Sequence, residues 1–252
     1  MKHLASLWKA RRVLFRRYII GKLFYQPRID SNGNPVSLRP FFGEVNRKLM
    51  EKGYSTPWIL TREECWEWYT TTLYARNTAR EMAQKPAGIV QFLHEFWSPQ
   101  VKPNHSILEL GSGPGTNLHY LCELGYNNLM GVEINQNAIN EMGKTFPELA
   151  KRCIISVGSL EDLLPKFGTD SVDTIFTVAV AQHLHPTSNF LFDEMVRVAR
   201  EYVCTIEMEV GNCGYIFARH YQRVFQRLGC SQLKSALITK EAFPSVSRDY
   251  DG

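Results

Sequence analysis

Three glycines alternate with other residues in Gly111-Ser112-Gly113-Pro114-Gly115, and a carboxylate, Glu109, stands two residues before the first of them. Glycines at this spacing let a backbone turn sharply and approach a ligand where a Cβ would intrude. Apolar Ile107-Leu108 precede the loop and Thr116-Asn117 lead out of it, so the loop joins a strand to a helix. In an open α/β sheet that junction lies at the ligand-binding edge, beyond the carboxyl ends of the strands. A turn with no ligand would also explain the glycines taken alone. A second acid, Glu133, ends the next apolar run, where a carboxylate can accept hydrogen bonds from ribose hydroxyls. The dinucleotide fingerprint would place a glycine at position 116. The chain has Thr116 there and its third glycine at 115, which disfavours a nicotinamide dehydrogenase.

Further groups able to move a proton follow later apolar runs: His183 and His185, Glu207 and Glu209, and His220. An imidazole ordinarily changes charge near neutrality and suits general-base work. We rank His183, then Glu207, then His220 as catalytic candidates. His183 bonding backbone within its own loop is the alternative, and Asp173 reads as structural. The six cysteines are scattered with no Cys-x-x-Cys pair, so no metal site is expected and they read as reduced thiols of a cytosolic protein.

The elements that must hold these groups alternate from residue 106 onward. Strands are expected over 106–110, 128–134, 153–157, 172–180, 202–208 and 232–239, and helices over 117–124, 136–146, 160–167, 190–200 and 215–228. Such alternation predicts an α/β fold with a doubly wound, mostly parallel sheet. Residues 172–180 form a nearly unbroken, β-branched apolar run, as a central parallel strand requires. Upstream, residues 41–53 and 61–97 read as helical, with Thr61 and Glu64 spaced as a capping box. The division is therefore an N-terminal helical extension and cap over 1–104 and a ligand-binding domain over 105–252.

The run of an apolar strand, Glu109, one residue and Gly-x-Gly-x-Gly resembles the class I S-adenosyl-L-methionine (SAM)-dependent methyltransferases. The likeness continues in order through Gly131-Val132-Glu133-Ile134, Gly158-Ser159-Leu160-Glu161-Asp162, and Asp173-Thr174-Ile175-Phe176 with Ala181-Gln182-His183-Leu184. It covers about residues 105–230. The resemblance implies SAM as cofactor and S-adenosyl-L-homocysteine as product. It puts Gly111, Gly113 and Gly115 against the amino-acid part of SAM, with Glu109 steadying the loop and meeting the SAM ammonium through water, and it counts Asn117 among the cofactor-binding residues. Glu133 would hold the ribose, Ser159 and Leu160 would flank the adenine, and Gln182 and His183 would lie near the methyl. Ser159 departs from the family pattern, which has an Asp there; Glu161 is the candidate substitute. Tyr69, Tyr74, Arg76 and Asn77 are candidates for the covering segment, with Arg76 suited to the SAM carboxylate. The family's seventh, antiparallel strand is expected to be short, over 242–247, or missing.

A weaker resemblance, over residues 68–77, 194–198 and 206–207, is to bacterial methyltransferases associated with surface-sugar biosynthesis. It implies O-methylation of a sugar, glycan or other small molecule. RNA or protein methylation, and a non-catalytic scaffold or membrane-associated subunit, are the rival readings.

Charge adds one more signal. Residues 1–28 carry eight Lys and Arg and no acid, leaving 21 basic against 25 acidic residues in the remainder. An acidic body is a poor surface for phosphate, so nucleic acid is not the expected partner. Residues 3–24 read as a basic amphipathic helix. It would dock on its own body or on the second subunit of a homodimer, lie on an anionic membrane surface, or bind nucleic acid. The chain is expected to be cytoplasmic, with membrane association through this helix.

Overall fold

The computed structural model describes residues 28–29, 35–36, 61–67, 69–70, 79–83, 88–209, 212–213 and 216–238. The expected helices over 3–24 and 41–53, the strand over 242–247, and Tyr74, Arg76 and Asn77 lie outside the described residues.

Two short strands, β1 (Arg28–Ile29) and β2 (Pro35–Val36), pair antiparallel. Among the described residues, three helices follow: α1 (Arg62–Glu67), α2 (Ala79–Ala83) and α3 (Gly88–Trp97). The capping box starts α1. The Glu64 amide donates to Thr61 Oγ1 at 3.2 Å, and the Thr61 amide donates to Glu64 Oε2 at 2.8 Å. The helical stretch expected over 61–97 is described as α1, α2 and α3, and residues 68, 71–78 and 84–87 lie outside the described residues.

The centre is a five-stranded parallel sheet of β3 (Ser106–Leu110), β4 (Asn128–Glu133), β5 (Ile154–Val157), β6 (Val172–Val178) and β7 (Ala199–Ile206), in the order β5-β4-β3-β6-β7. The order reverses between β3 and β6, which creates the crevice where open α/β sheets bind ligands. Between the strands run α4 (Thr116–Glu123), α5 (Gln136–Thr145), α6 (Pro147–Arg152), α7 (Leu160–Leu163) and α8 (Phe190–Val198).

Alternation along β3 divides the core. Ile107 faces Val90, Trp97, Leu118 and Met142 on one side, with Trp97 edge-on to Phe176 at 5.5 Å. Leu108 and Leu110 face Leu164, Leu191 and Met195 on the other. Each such fully buried side chain is worth roughly 1.5–3 kcal/mol.

Beyond β7 the expectations need correction. Residues 231–238 form no strand, and Leu233 and Leu237 are 67% and 81% exposed, so their apolar spacing has no face to bury against among the described residues. The helix expected over 215–228 is α9 (Tyr221–Arg227) alone. Ile216 and Phe217, which look periodic with it, instead form β9 (Ile216–Phe217), paired antiparallel with β8 (Asn212–Cys213). No described helix is long and apolar enough to cross a membrane.

Candidate functional site

The loop after β3 has Gly111, Gly113 and Gly115 at φ of +73°, +53° and +80°, the left-handed region that side chains disfavour. A Cβ at Gly111 would fall 2.5 Å from Val180 Cγ2, and one at Gly115 would fall 2.8 Å from Met142 Sδ. The glycines therefore let the loop sit against both α5 and the turn after β6. Gly115 caps α4 without a side chain.

Glu109 points into this loop and is 1% exposed. The Asn117 side-chain amide donates to its Oε1 at 2.7 Å, while Oε2 is buried with no hydrogen-bond partner. Burial pushes the Glu109 carboxyl well above the ordinary carboxylate range, against the pull of Asn117 and with a push from the Glu133 charge. A carboxylate oxygen left bare in the interior is costly unless a donor arrives.

Glu133 ends β4, as expected, and accepts from the Gly113 amide and from the Asn135 amide, both at 2.8 Å. Its carboxylate thus ties β4 to the glycine loop. The segment before the sheet reaches this region too. Asn135 Nδ2 donates to the Thr70 carbonyl at 3.4 Å, and Thr116 Oγ1 donates to the Met82 carbonyl at 3.1 Å. Ser159 caps α7. Its hydroxyl accepts from the Asp162 amide at 3.2 Å and donates to Asp162 Oδ2 at 2.7 Å. Leu160 beside it is buried, and Glu161 accepts from Ser188 Oγ at 2.6 Å.

The turn after β6 brings Gln182 and His183 together. It opens at Ala179, whose φ of +54° is unusual for a residue with a Cβ. Glu207, at the end of β7, collects the turn's donors: Thr177 Oγ1 at 2.7 Å and the amides of Val180, Ala181 and Gln182 at 2.9–3.0 Å. Burial raises the Glu207 carboxyl, opposed by these four hydrogen bonds. Gln182 Oε1 accepts from the Met208 amide at 2.8 Å, which aims its Nε2 at His183 Nε2, 3.3 Å away. Assigned by these partners, His183 carries its proton on Nδ1 and presents a lone pair at Nε2. The Tyr69 ring lies 5.1 Å from the His183 ring, and its hydroxyl donates to the His183 carbonyl at 3.4 Å.

The neighbouring acids and histidines divide by role. His185 is buried, edge-on to Phe217 at 5.5 Å, and its Nδ1 accepts from the Thr187 amide at 3.2 Å, which makes it a packing residue. His220 Nδ1 lies 3.2 Å from Glu209 Oε2. Asp173 accepts from the Ser106 amide and hydroxyl, both at 2.8 Å, and from Arg200, fastening the start of β3 to β6. Burial pushes the Cys65, Cys153 and Cys204 thiols up to about 12, which disfavours these three as nucleophiles.

Sequence reasoning missed Arg219. Fully buried, it donates to the carbonyls of Ala181, Leu184 and Phe217 at 2.7–3.2 Å and to Asn189 Oδ1, with its guanidinium 5.2 Å above the Phe192 ring. The signal available was an arginine directly after the apolar run Ile216-Phe217-Ala218.

Residues 108–202 match the family described as "Methyltransferase domain". No curated protein matches the chain. Among solved structures, the cyclase SpnF superposes with a TM-score of 0.55 at 12% identity, over 68% of this chain and 73% of that one. Geranyl diphosphate C-methyltransferase from Streptomyces coelicolor A3(2), solved with Mg2+, geranyl diphosphate and S-adenosyl-L-homocysteine, gives a TM-score of 0.42 at 17% identity, over 48% of this chain. The chain spans 44% of that structure's length. YcgJ of Bacillus subtilis gives 0.47 at 14% identity, over 55% of this chain and 66% of that one. The family match begins within β3, runs through the glycine loop and the turn after β6, and ends in β7, so residues 108–202 carry a methyltransferase domain.

Proposed function

We propose that the protein methylates a hydroxyl of a small molecule, sugar or glycan, using SAM held at the glycine loop. The observation that carries the cofactor assignment is the buried, unpartnered Oε2 of Glu109 beside a loop whose three glycines hold left-handed backbone. An ammonium group is the donor such an oxygen lacks. Gly111, Gly113 and Gly115 would hold the amino-acid portion, Glu133 the ribose, and Ser159 and Leu160 the adenine. Tyr74 and Arg76 remain candidates for the cover, and Arg76 would pair with the cofactor carboxylate. Bound there, SAM supplies an electrophilic methyl group.

The protein's part is alignment and proton removal. His183 is the proposed base. An acceptor hydroxyl that takes the place of the 3.3 Å contact to Gln182 would hand its proton to Nε2. His220 is the second reading, favoured by Glu209 behind its Nδ1, an arrangement that orients a base. Glu207, whose two oxygens already collect four donors, serves in this reading as a holder of the turn and not as the base. Residues 3–24 suit the headgroups of an anionic membrane, which would place the enzyme beside a lipid-linked acceptor.

Two measurements test the reading. Calorimetry with S-adenosyl-L-homocysteine should detect binding; none would favour a non-catalytic scaffold, a real alternative because the fold alone does not assign a reaction. Labelled SAM incubated with cell extract should send label into the glycan or small-molecule fraction; label in RNA or protein would overturn the acceptor class. With an acceptor in hand, His183→Asn should lower turnover about 100-fold or more, and His220→Asn by far less. The reverse order would make His220 the base.

A further inference from the structure

The turn after β6 is held from both sides by opposite charges. Its amide face is gathered by one carboxylate: Val180, Ala181 and Gln182 all donate to Glu207, with Thr177 beside them. Its carbonyl face is gathered by one guanidinium: Ala181 and Leu184 accept from Arg219. Ala181 is gripped by both, through its N–H and its C=O. Arg219 is 0% exposed, and it also donates to Phe217 and Asn189, so its fork is anchored in the body while it holds the turn. Between these grips sit Gln182 and His183, and the turn begins at Ala179 in a backbone conformation that a side chain disfavours. A short turn started from a strained residue would relax without such restraint. The two charged residues come from separate places in the fold, the end of β7 and the lead into α9.

We propose that Glu207 and Arg219 act as a paired clamp that fixes the Ala181–Leu184 turn, and through it positions Gln182 and His183 at the methyl-transfer site. Both are positioning residues. The proposal rests on the methyltransferase reading for its consequence, but the clamp itself is a property of the protein without any ligand. The chemistry restricts substitutions at both positions. All four partners of Glu207 are N–H or O–H groups, so the isosteric Glu207→Gln turns an amide NH2 toward donors and should fail where a simple shape requirement would be met. Arg219→Lys keeps the charge but loses the planar fork that reaches several carbonyls at once, and should restore only part of what Arg219→Met removes.

The test is hydrogen exchange on the full chain, comparing a peptide spanning 178–186 with peptides from β3 and β4, in wild type, Arg219→Met, Arg219→Lys and Glu207→Gln. Local opening of the turn should speed exchange in 178–186 by about tenfold or more in Arg219→Met and Glu207→Gln, with β3 and β4 unchanged and Arg219→Lys intermediate. In parallel, the His183 imidazole resonances, assigned by their loss in His183→Asn, should shift and broaden in both disruptive variants. Unchanged exchange in 178–186 would overturn the clamp. So would equal loss of protection across β3, β4 and the turn, which would mean the residues merely hold the fold. Calorimetry with S-adenosyl-L-homocysteine on the wild type separates the two ideas. Absence of binding removes the methyltransferase reading, while the exchange result still decides the clamp.

Discussion

At the scale of single residues, two predictions follow from the glycine loop. Gly111→Ala places a Cβ at φ +73° and 2.5 Å from Val180. The strained conformation alone costs about 1–3 kcal/mol, and the overlap adds to it. The melting temperature should drop, and affinity for S-adenosyl-L-homocysteine should fall with it. Glu109 gives a pH signature. Its carboxyl is raised in the folded protein, so the fold favours the protonated form. The stability this contributes is complete below the unfolded value near 4.5 and is lost as pH climbs through the folded value. Wild type should therefore lose stability relative to Glu109→Gln as pH rises across that window, in paired denaturant titrations. Cofactor binding should run the other way. An ammonium needs the ionised carboxylate, so affinity should rise with pH in wild type and flatten in Glu109→Gln. A flat wild-type profile would remove Glu109 from the ammonium contact.

At the scale of elements, Asp173 is the instructive case. Its carboxylate fastens the first residue of β3 to β6 through the Ser106 amide and hydroxyl and pairs with Arg200. Burial pushes its carboxyl up, but these partners outweigh burial and hold it below the ordinary value. Asp173→Asn should lower stability by about 1–3 kcal/mol in urea titration while leaving cofactor affinity unchanged. Lost affinity at full stability would contradict its structural role. Strands β3, β4 and β6 were legible because buried parallel strands read as short apolar runs bounded by glycines and acids. The stretch from 215 to 238 was not. Ile216 and Phe217 lie at helical spacing ahead of Tyr221, and only a cross-strand partner at 212–213 shows that they are extended. Leu233 and Leu237 look like strand residues, yet they are exposed. The glycine cradle was readable because it depends on residues adjacent in sequence. The grip on the turn was not: Glu207 looks like any acid at a strand end until its four donors are seen, and Arg219 acts on carbonyls 35 and 38 residues away.

At the scale of the whole molecule, charge separates the N-terminal segment from the body. Residues 1–28 bear eight basic side chains and no acid. Each basic group near an anionic surface contributes about 1 kcal/mol, so the full chain should co-sediment with phosphatidylserine-containing vesicles and be released by salt. A chain lacking residues 1–24 should stay in solution. Equal sedimentation of both would assign the segment to the body or to a second copy.

The strand order sets the sequence of assembly. β3 must pair with β6 between residues 67 apart in sequence, and Gly111 meets Val180 only once that pairing exists. Non-local parallel pairing is the slow part of folding, because loop closure precedes its reward. The cofactor cradle therefore has one wall from early in the chain and one from a strand that docks late. A ligand that needs both walls recognises only the finished fold. At about 100 times its dissociation constant it would stabilise that fold by about 2.7 kcal/mol. Cellular cofactor supply would then govern how long the folded protein persists as well as how fast it turns over.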